Sequence, residues 1–207
     1  MEIFSLALLL LFGLHLLKSR ERAARVALLG SFLARYQIEK LMESLTDGYL
    51  RALGEQDAQR RAQIWDLLAT TEKNLALQLQ SFADDFGRVP ADEARVSTLA
   101  IALPYASRWF PAATFDMREM LQLHARGIAA VVAQAPAGEE GMAQERKRQA
   151  YTVTAELYLL QHSCHWFCRS ATVASVRLIA LHQTSYEQVL EGVSPATRAA
   201  YRQLAGV

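Results

Sequence analysis

Hydrophobic positions fill the start of the chain with no polar face between them. Ile3 to Leu17 reads IFSLALLLLFGLHLL, interrupted only by Ser5, Gly13 and His15, and Lys18, Arg20, Arg22 and Arg25 follow with Glu21 as the one opposing charge. A helix apolar all round belongs in lipid or in the middle of a large bundle. At ~1.5 Å per residue the first seventeen residues span roughly 25 Å, slightly under a ~30 Å hydrocarbon core, and snorkelling by Lys18 covers the shortfall. Glu2 stands where a secretory leader carries basic residues, and no small-x-small site follows the apolar run, which argues against a cleaved signal. The pattern predicts a single-pass anchor over residues 1–18, with residues 19–207 as a domain on the cytoplasmic side of an inner membrane, the side that flanking cations favour. Lys18, Arg22 and Arg25 share one helical face and are the candidate membrane-surface residues, and Glu21 is spaced to pair with Arg25.

After the anchor the pattern becomes amphipathic. Val26, Leu29, Leu33, Ile38, Leu41, Leu45, Tyr49 and Leu53 recur mostly at steps of three or four, predicting one long helix, continuous with the anchor, with Gly30 and Thr46-Asp47-Gly48 as places for a bend and Gly54 as its end. Asp57 is an N-cap for a second helix over 58–86, closed by Gly87 and Pro90, with a short helix near 91–98 beyond it. The stretch STLAIALPYASRWFPAATF has Arg108 as its only charge. Pro104 and Pro111 forbid a spanning helix there, so it reads as a buried or interfacial loop. Asp116 with Glu119 three residues on predicts a capping box opening a helix to about Ala133, and QAPAGEEG is the clearest linker. From Met142 to about His182 no Gly or Pro intervenes, which predicts one unusually long helix. Between Tyr151 and Gln183 it carries only Glu156, Arg169 and Arg177 as charges, so it belongs in the middle of a bundle. Ser194 and Pro195 start a last helix. With no strand-like alternation anywhere, the predicted fold class is all-α: an anchor helix leading into a multi-helix bundle.

Composition adds two exclusions. Hydrophobic residues at 52% against 21% charged exclude a disordered chain. A net charge of +1 gives no broad basic field, which argues against nucleic acid as a partner.

The segment QHSCHWFCRS concentrates the reactive side chains. Cys164 and Cys168 fall on the same side as Val153, Leu157, Leu160, Phe167, Ala171 and Leu178, and read as free thiols packed in the apolar stripe. His162, His165 and Arg169 share the opposite side with Tyr158 and Val173. They are the candidate cofactor-binding residues, with His124 of LQLHARGIAAVV completing the set. Arg169 beside His165 favours a neutral imidazole, a state suited to a ligand or to a hydrogen bond from a neighbouring helix. The preferred neighbour is the helix carrying Glu119 and His124, or the long helix near Glu39 to Glu43. CxxxC on a lone helix lacks the second element that a zinc site needs.

No GxSxG, P-loop, GxGxxG or HExxH motif is present, which argues against the standard hydrolases, kinases, dehydrogenases and metalloproteases. By elimination the expected function is non-enzymatic: a membrane-anchored helical interaction protein, that is, an adaptor, accessory subunit or assembly factor of an inner-membrane complex. It would meet the membrane, a membrane protein and, as a further option, a second copy of the chain, and needs no cofactor. Two alternatives stand beside it. One is a helical module holding haem or a metal through His162 and His165. The other is a lipid-handling or other enzyme whose apolar substrate enters along Ser97 to Phe115.

Overall fold

The computed structural model describes residues 2–99, 103–134 and 142–206. The linker expected at 134–141 lies outside them except for Gln134, as do residues 100–102 of the apolar loop. Among the described residues the chain forms an all-α bundle with one short ribbon. Helix α1 (Glu2–Leu33) leads to α2 (Ile38–Gly54) and α3 (Ala58–Phe86). A small α4 (Ala91–Ala94), strand β1 (Arg95–Ser97), α5 (Ala106–Trp109) and strand β2 (Thr114–Asp116) make the irregular middle. Then come α6 (Met117–Val132), α7 (Met142–Cys168), α8 (Ala171–His182), α9 (Tyr186–Gly192) and α10 (Pro195–Ala205).

Side-chain caps set most of the starts. Asp57 accepts from the Arg60 N–H at 2.7 Å, Asp116 from the Arg118 N–H at 2.8 Å, and Ser194 from the Thr197 N–H at 3.2 Å. Ser185 and Gln188 form a reciprocal capping box at α9, a helix that the hydrophobic pattern does not predict.

Two long helices expected from the pattern are each broken in two. The first ends at Leu33, where Arg35 and Tyr36 donate three residues back to Phe32 and Leu33 and tighten the last turn. Phe32 then meets Phe86 edge-on at 5.3 Å, and Tyr36 packs on Phe82 while its hydroxyl donates to Asp85 at 2.8 Å. These contacts with α3 turn the chain, so that α2 also lies on α3 and the Tyr49 hydroxyl donates to buried Glu72 at 2.6 Å. The second break falls after Cys168. There the Ser170 hydroxyl takes over the Val173 N–H and starts α8 antiparallel to α7. The hairpin register shows in the pairs His162 with Ser175 at 3.1 Å and His182 with Gln161 at 2.6 Å.

The apolar loop is tied at its base by a ribbon that alternation alone does not reveal. Val96 pairs with Phe115, both buried, in antiparallel register. The Trp166 indole donates to the Ser97 carbonyl at 3.0 Å and its ring meets Phe115 at 5.0 Å, pinning the ribbon to α7. In the core an aromatic chain joins three helices, with Phe32 of α1, Phe86 of α3 and Phe167 of α7 in edge contact.

From Phe4 to Leu17, α1 leaves the bundle. Phe4 is 75% exposed, and Leu6, Leu8 to Leu11, Phe12, Leu14, Leu16 and Leu17 are exposed as well. Among the described residues no helix is long and apolar enough to cross a membrane.

Two glycines give opposite tests of this packing. A methyl group added at Gly127 of α6 would sit 2.4 Å from Thr197 Oγ1 and 3.2 Å from Glu156 Oε2, whereas one at Gly30 of α1 meets nothing within 4 Å. Gly127→Ala should lower stability by about 1–3 kcal/mol, because α6, α7 and α10 cannot all keep that approach. Gly30→Ala should raise it by roughly 0.5–1 kcal/mol through helix propensity. Thermal denaturation of the two variants measures both, and shifts of the same sign would contradict the packing described.

Candidate functional site

The candidate site is built on α7, whose middle is covered unequally. On one flank His124, Ser163, Tyr201, Tyr186 and His162 form a buried polar cluster between α6, α7, α9 and α10. Ser163 donates its one proton to the Leu159 carbonyl at 3.0 Å, so its oxygen is left to accept from His124 Nε2 at 2.9 Å. That fixes His124 as the Nε2–H tautomer, with a bare and unpartnered Nδ1. His162 stacks on Tyr186 at 4.6 Å, and its Nε2 lies against Ser175. Burial, with His162 adding to it, pushes the His124 imidazole down to about 3, and burial, with His165 adding to it, pushes the His162 imidazole down to about 4. Both rings are neutral at physiological pH. About two turns earlier on α7, burial raises the Glu156 carboxyl, which accepts from the Ser194 N–H at 3.1 Å and so holds the start of α10.

On the other flank α7 is left partly open. A groove of about 610 Å³ runs between α1, α2 and α8, floored by apolar residues that include Leu29, Leu33, Met42, Phe82 and Leu160 together with both cysteines. One wall is acidic: Glu39, Glu43 and Asp47, one turn apart along α2, all exposed. The opposite wall is made of His165 on α7, Arg169 in the turn after it and Arg177 on α8, with His182 at its end. Arg177 donates to His165 Nδ1 at 3.2 Å, which leaves the His165 proton on an Nε2 that no protein group accepts. Burial, and after it Arg177 and Arg169, lower the affinity of this ring for a second proton. Among the described residues no ion pair joins the two walls.

The polar strip expected on α7 is therefore divided. His165 and Arg169 line the groove with Arg177, while His162 and His124 belong to the closed cluster on the far side. Among the described residues no three His, Cys, Asp or Glu side chains are grouped to hold a metal. Cys164 and Cys168 are free and partly buried in the groove floor, and burial pushes both thiols up, so they act as small apolar groups. Of the three membrane-surface candidates, Arg25 is the one held by the bundle. Its guanidinium turns inward, pairing with Glu21 at 3.0 Å and donating to the Phe167 and Arg95 carbonyls at 3.1 Å each, so it clamps α1 to α7 and the ribbon. Lys18 and Arg22 stay half-exposed beside the loop. The acidic wall was legible in part, as a spacing of four from Glu39 through Glu43 to Asp47. Arg177 and His182 were not, because they reach the groove only through the break after Cys168.

Comparison with known proteins finds no matching family model, no similar curated protein and no similar solved structure.

The closed cluster makes acid stability a direct test. The unfolded chain binds protons at histidine from about pH 6.5 downward, whereas the folded chain takes them up at His162 and His124 only near pH 4 and 3. Their contribution is complete above pH 6.5 and is lost as pH falls toward 4, at up to about 1.4 kcal/mol per pH unit for each ring. Glu72 and Glu156, raised by burial, act in the opposite direction, so the comparison must be between variants. The double variant His124→Gln, His162→Gln should be less stable at pH 7.5 and show a shallower acid loss between pH 6.5 and 4 in urea denaturation. An unchanged slope would mean that these rings are not held neutral.

Proposed function

We propose that this protein is a membrane-tethered helical interaction protein, an adaptor or accessory subunit with no chemistry of its own, anchored by α1 with the bundle on the cytoplasmic side. The observation that carries the tether is the exposure of Phe4 to Leu17 around the whole circumference of the helix. A helix that docks on a protein surface is apolar on one stripe, and one that is apolar all round needs an apolar medium on every side. Lys18, Arg20 and Arg22 come directly after and suit the anionic cytoplasmic headgroups. The fourteen residues from Phe4 to Leu17 cover roughly 21 Å, so seating them across a bilayer needs local thinning.

The apolar loop supports the same orientation. Glu21 lies four residues past Leu17, about 6 Å along the helix, which is roughly the depth of a headgroup layer. There Glu21 accepts from the Tyr105 N–H at 2.7 Å and holds Tyr105 in the left-handed region at φ 53°. Next to it Leu103, Trp109 and Phe110 are exposed, Trp109 by 76%. Exposed aromatic residues beside a cation such as Arg108 suit a bilayer interface, so the loop forms a second, shallow contact that fixes how the bundle sits.

Flotation with vesicles containing anionic lipid tests both parts. The full chain should float, and deletion of residues 2–17 should leave a folded, helical protein that floats weakly or not at all. A full chain that stays at the bottom of the gradient would defeat the tether, and a C-terminal reporter that matures only in the periplasm would reverse the topology. In the truncated chain, Trp109→Ser with Phe110→Ser should lower the residual vesicle affinity by about tenfold, as expected for two interfacial rings. Unchanged affinity would remove the loop from the membrane.

A further inference from the structure

We infer that the groove between α1, α2 and α8 is the docking site for one amphipathic helix of a partner protein, its apolar stripe on the groove floor, with basic residues on the flank facing α2 and acidic residues on the flank facing α7 and α8. This rests on the reading of the chain as a tethered interaction protein and names the partner's surface. Size and lining point first to a helix: the groove is a half-open, apolar-floored space of about 610 Å³ whose α2 side offers residues one helical turn apart. Grooves of this kind take helices through anchors spaced three and four residues apart.

Charge complementarity decides the occupant. Glu39, Glu43 and Asp47 run along one lip for about 12 Å, and the guanidinium groups of Arg169 and Arg177, the latter on the neutral His165, supply the positive charge of the other. A fatty acid or lysophospholipid carries charge at one end only, and an anionic head would meet the acidic lip as well as the basic one. A helix with opposite charges on its two flanks satisfies both lips at once, and the pair of lips also fixes the direction in which it lies. Gly30 makes room at one position. It lines the groove from α1, and a side chain built there meets nothing within 4 Å, so the wall at that point is cut back to the backbone.

The test uses the purified full chain and three synthetic eighteen-residue helices sharing one leucine stripe. The first carries Lys on one flank and Glu on the other, the second Lys on both, the third Glu on both. Fluorescence anisotropy should show the mixed helix binding at least about tenfold more tightly than either of the others. Gly30→Trp should fill the groove and abolish binding while its melting temperature stays at or above that of the parent, and Glu43→Lys with Arg169→Glu should weaken the mixed helix and leave the fold intact. Equal affinity for the three helices, or undiminished binding by a folded Gly30→Trp variant, would overturn the proposal. So would displacement of the mixed helix by dodecanoate, which would assign the groove to lipid, or self-association that Gly30→Trp abolishes, which would assign it to a second copy. None of these outcomes depends on flotation, so failure of the groove and failure of the tether are separately visible.

Discussion

The structure depends on covering α7. Over its last eighteen residues this helix carries a single acidic group, Glu156, and no Lys or Arg, so neither of its sides can be left to water without exposing apolar surface. The remaining helices are arranged around that requirement. The inner half of α1 reaches it through Phe32 and Phe86 to Phe167, α6 lies along one side, and α8 and α9 fold back over its far end. Between α2 and α8 the cover is incomplete, and the groove is that remainder. The amphipathic α2 and the apolar α8, which carries Arg177, flank a neutral helix and leave an apolar floor with charged lips.

The same burial sets the chemistry of the polar groups that lie deep in the bundle. Glu72 and Glu156 are held toward their protonated forms and His124 and His162 in their neutral forms, because charge in that interior lacks solvation. Each still makes a directed contact: Tyr49 donates to Glu72 and joins α2 to α3, His124 donates to Ser163 and joins α6 to α7, His162 meets Ser175 of α8, and Glu156 caps α10. Neutral hydrogen bonds of this kind contribute modestly to stability, but each admits only one register of its two helices. Gly127 belongs to this set, since its missing side chain is what lets Glu156 and Thr197 come together.

Arg25 links the bundle to the segment that leaves it. Through Glu21, the Phe167 carbonyl and the Arg95 carbonyl it ties α1, α7 and the ribbon at one point, and Glu21 in turn orders Tyr105 of the exposed loop. The apolar half of α1 and the aromatic loop therefore leave the body of the protein from a common, braced base. A partner helix in the groove would contact α1 at Val26 and Gly30, one to two turns further along the same helix.

Local rules determined much of this in the sequence itself. The hydrophobic period, the caps at Asp57, Asp116 and Ser194, and the prolines at 104 and 111 were enough for the all-α class, the extent of α3, the start of α6 and the central position of α7, because each acts within a few residues. The pairing of Glu21 with Arg25 was legible for the same reason. Tertiary structure decided the rest. The bend after Cys168 has no Gly or Pro to mark it, and the one after Leu33 has only Gly30, about one turn before it: aromatic contacts with α3 supply the bend after Leu33, and a serine capping α8 the one after Cys168. Those bends bring Arg177 and His182 opposite Glu39 to Asp47, turn Arg25 inward, and part His162 from His165. Helical spacing puts both histidines on one side of α7, but which neighbour covers each is settled by contacts between residues far apart in the chain, which no local pattern encodes.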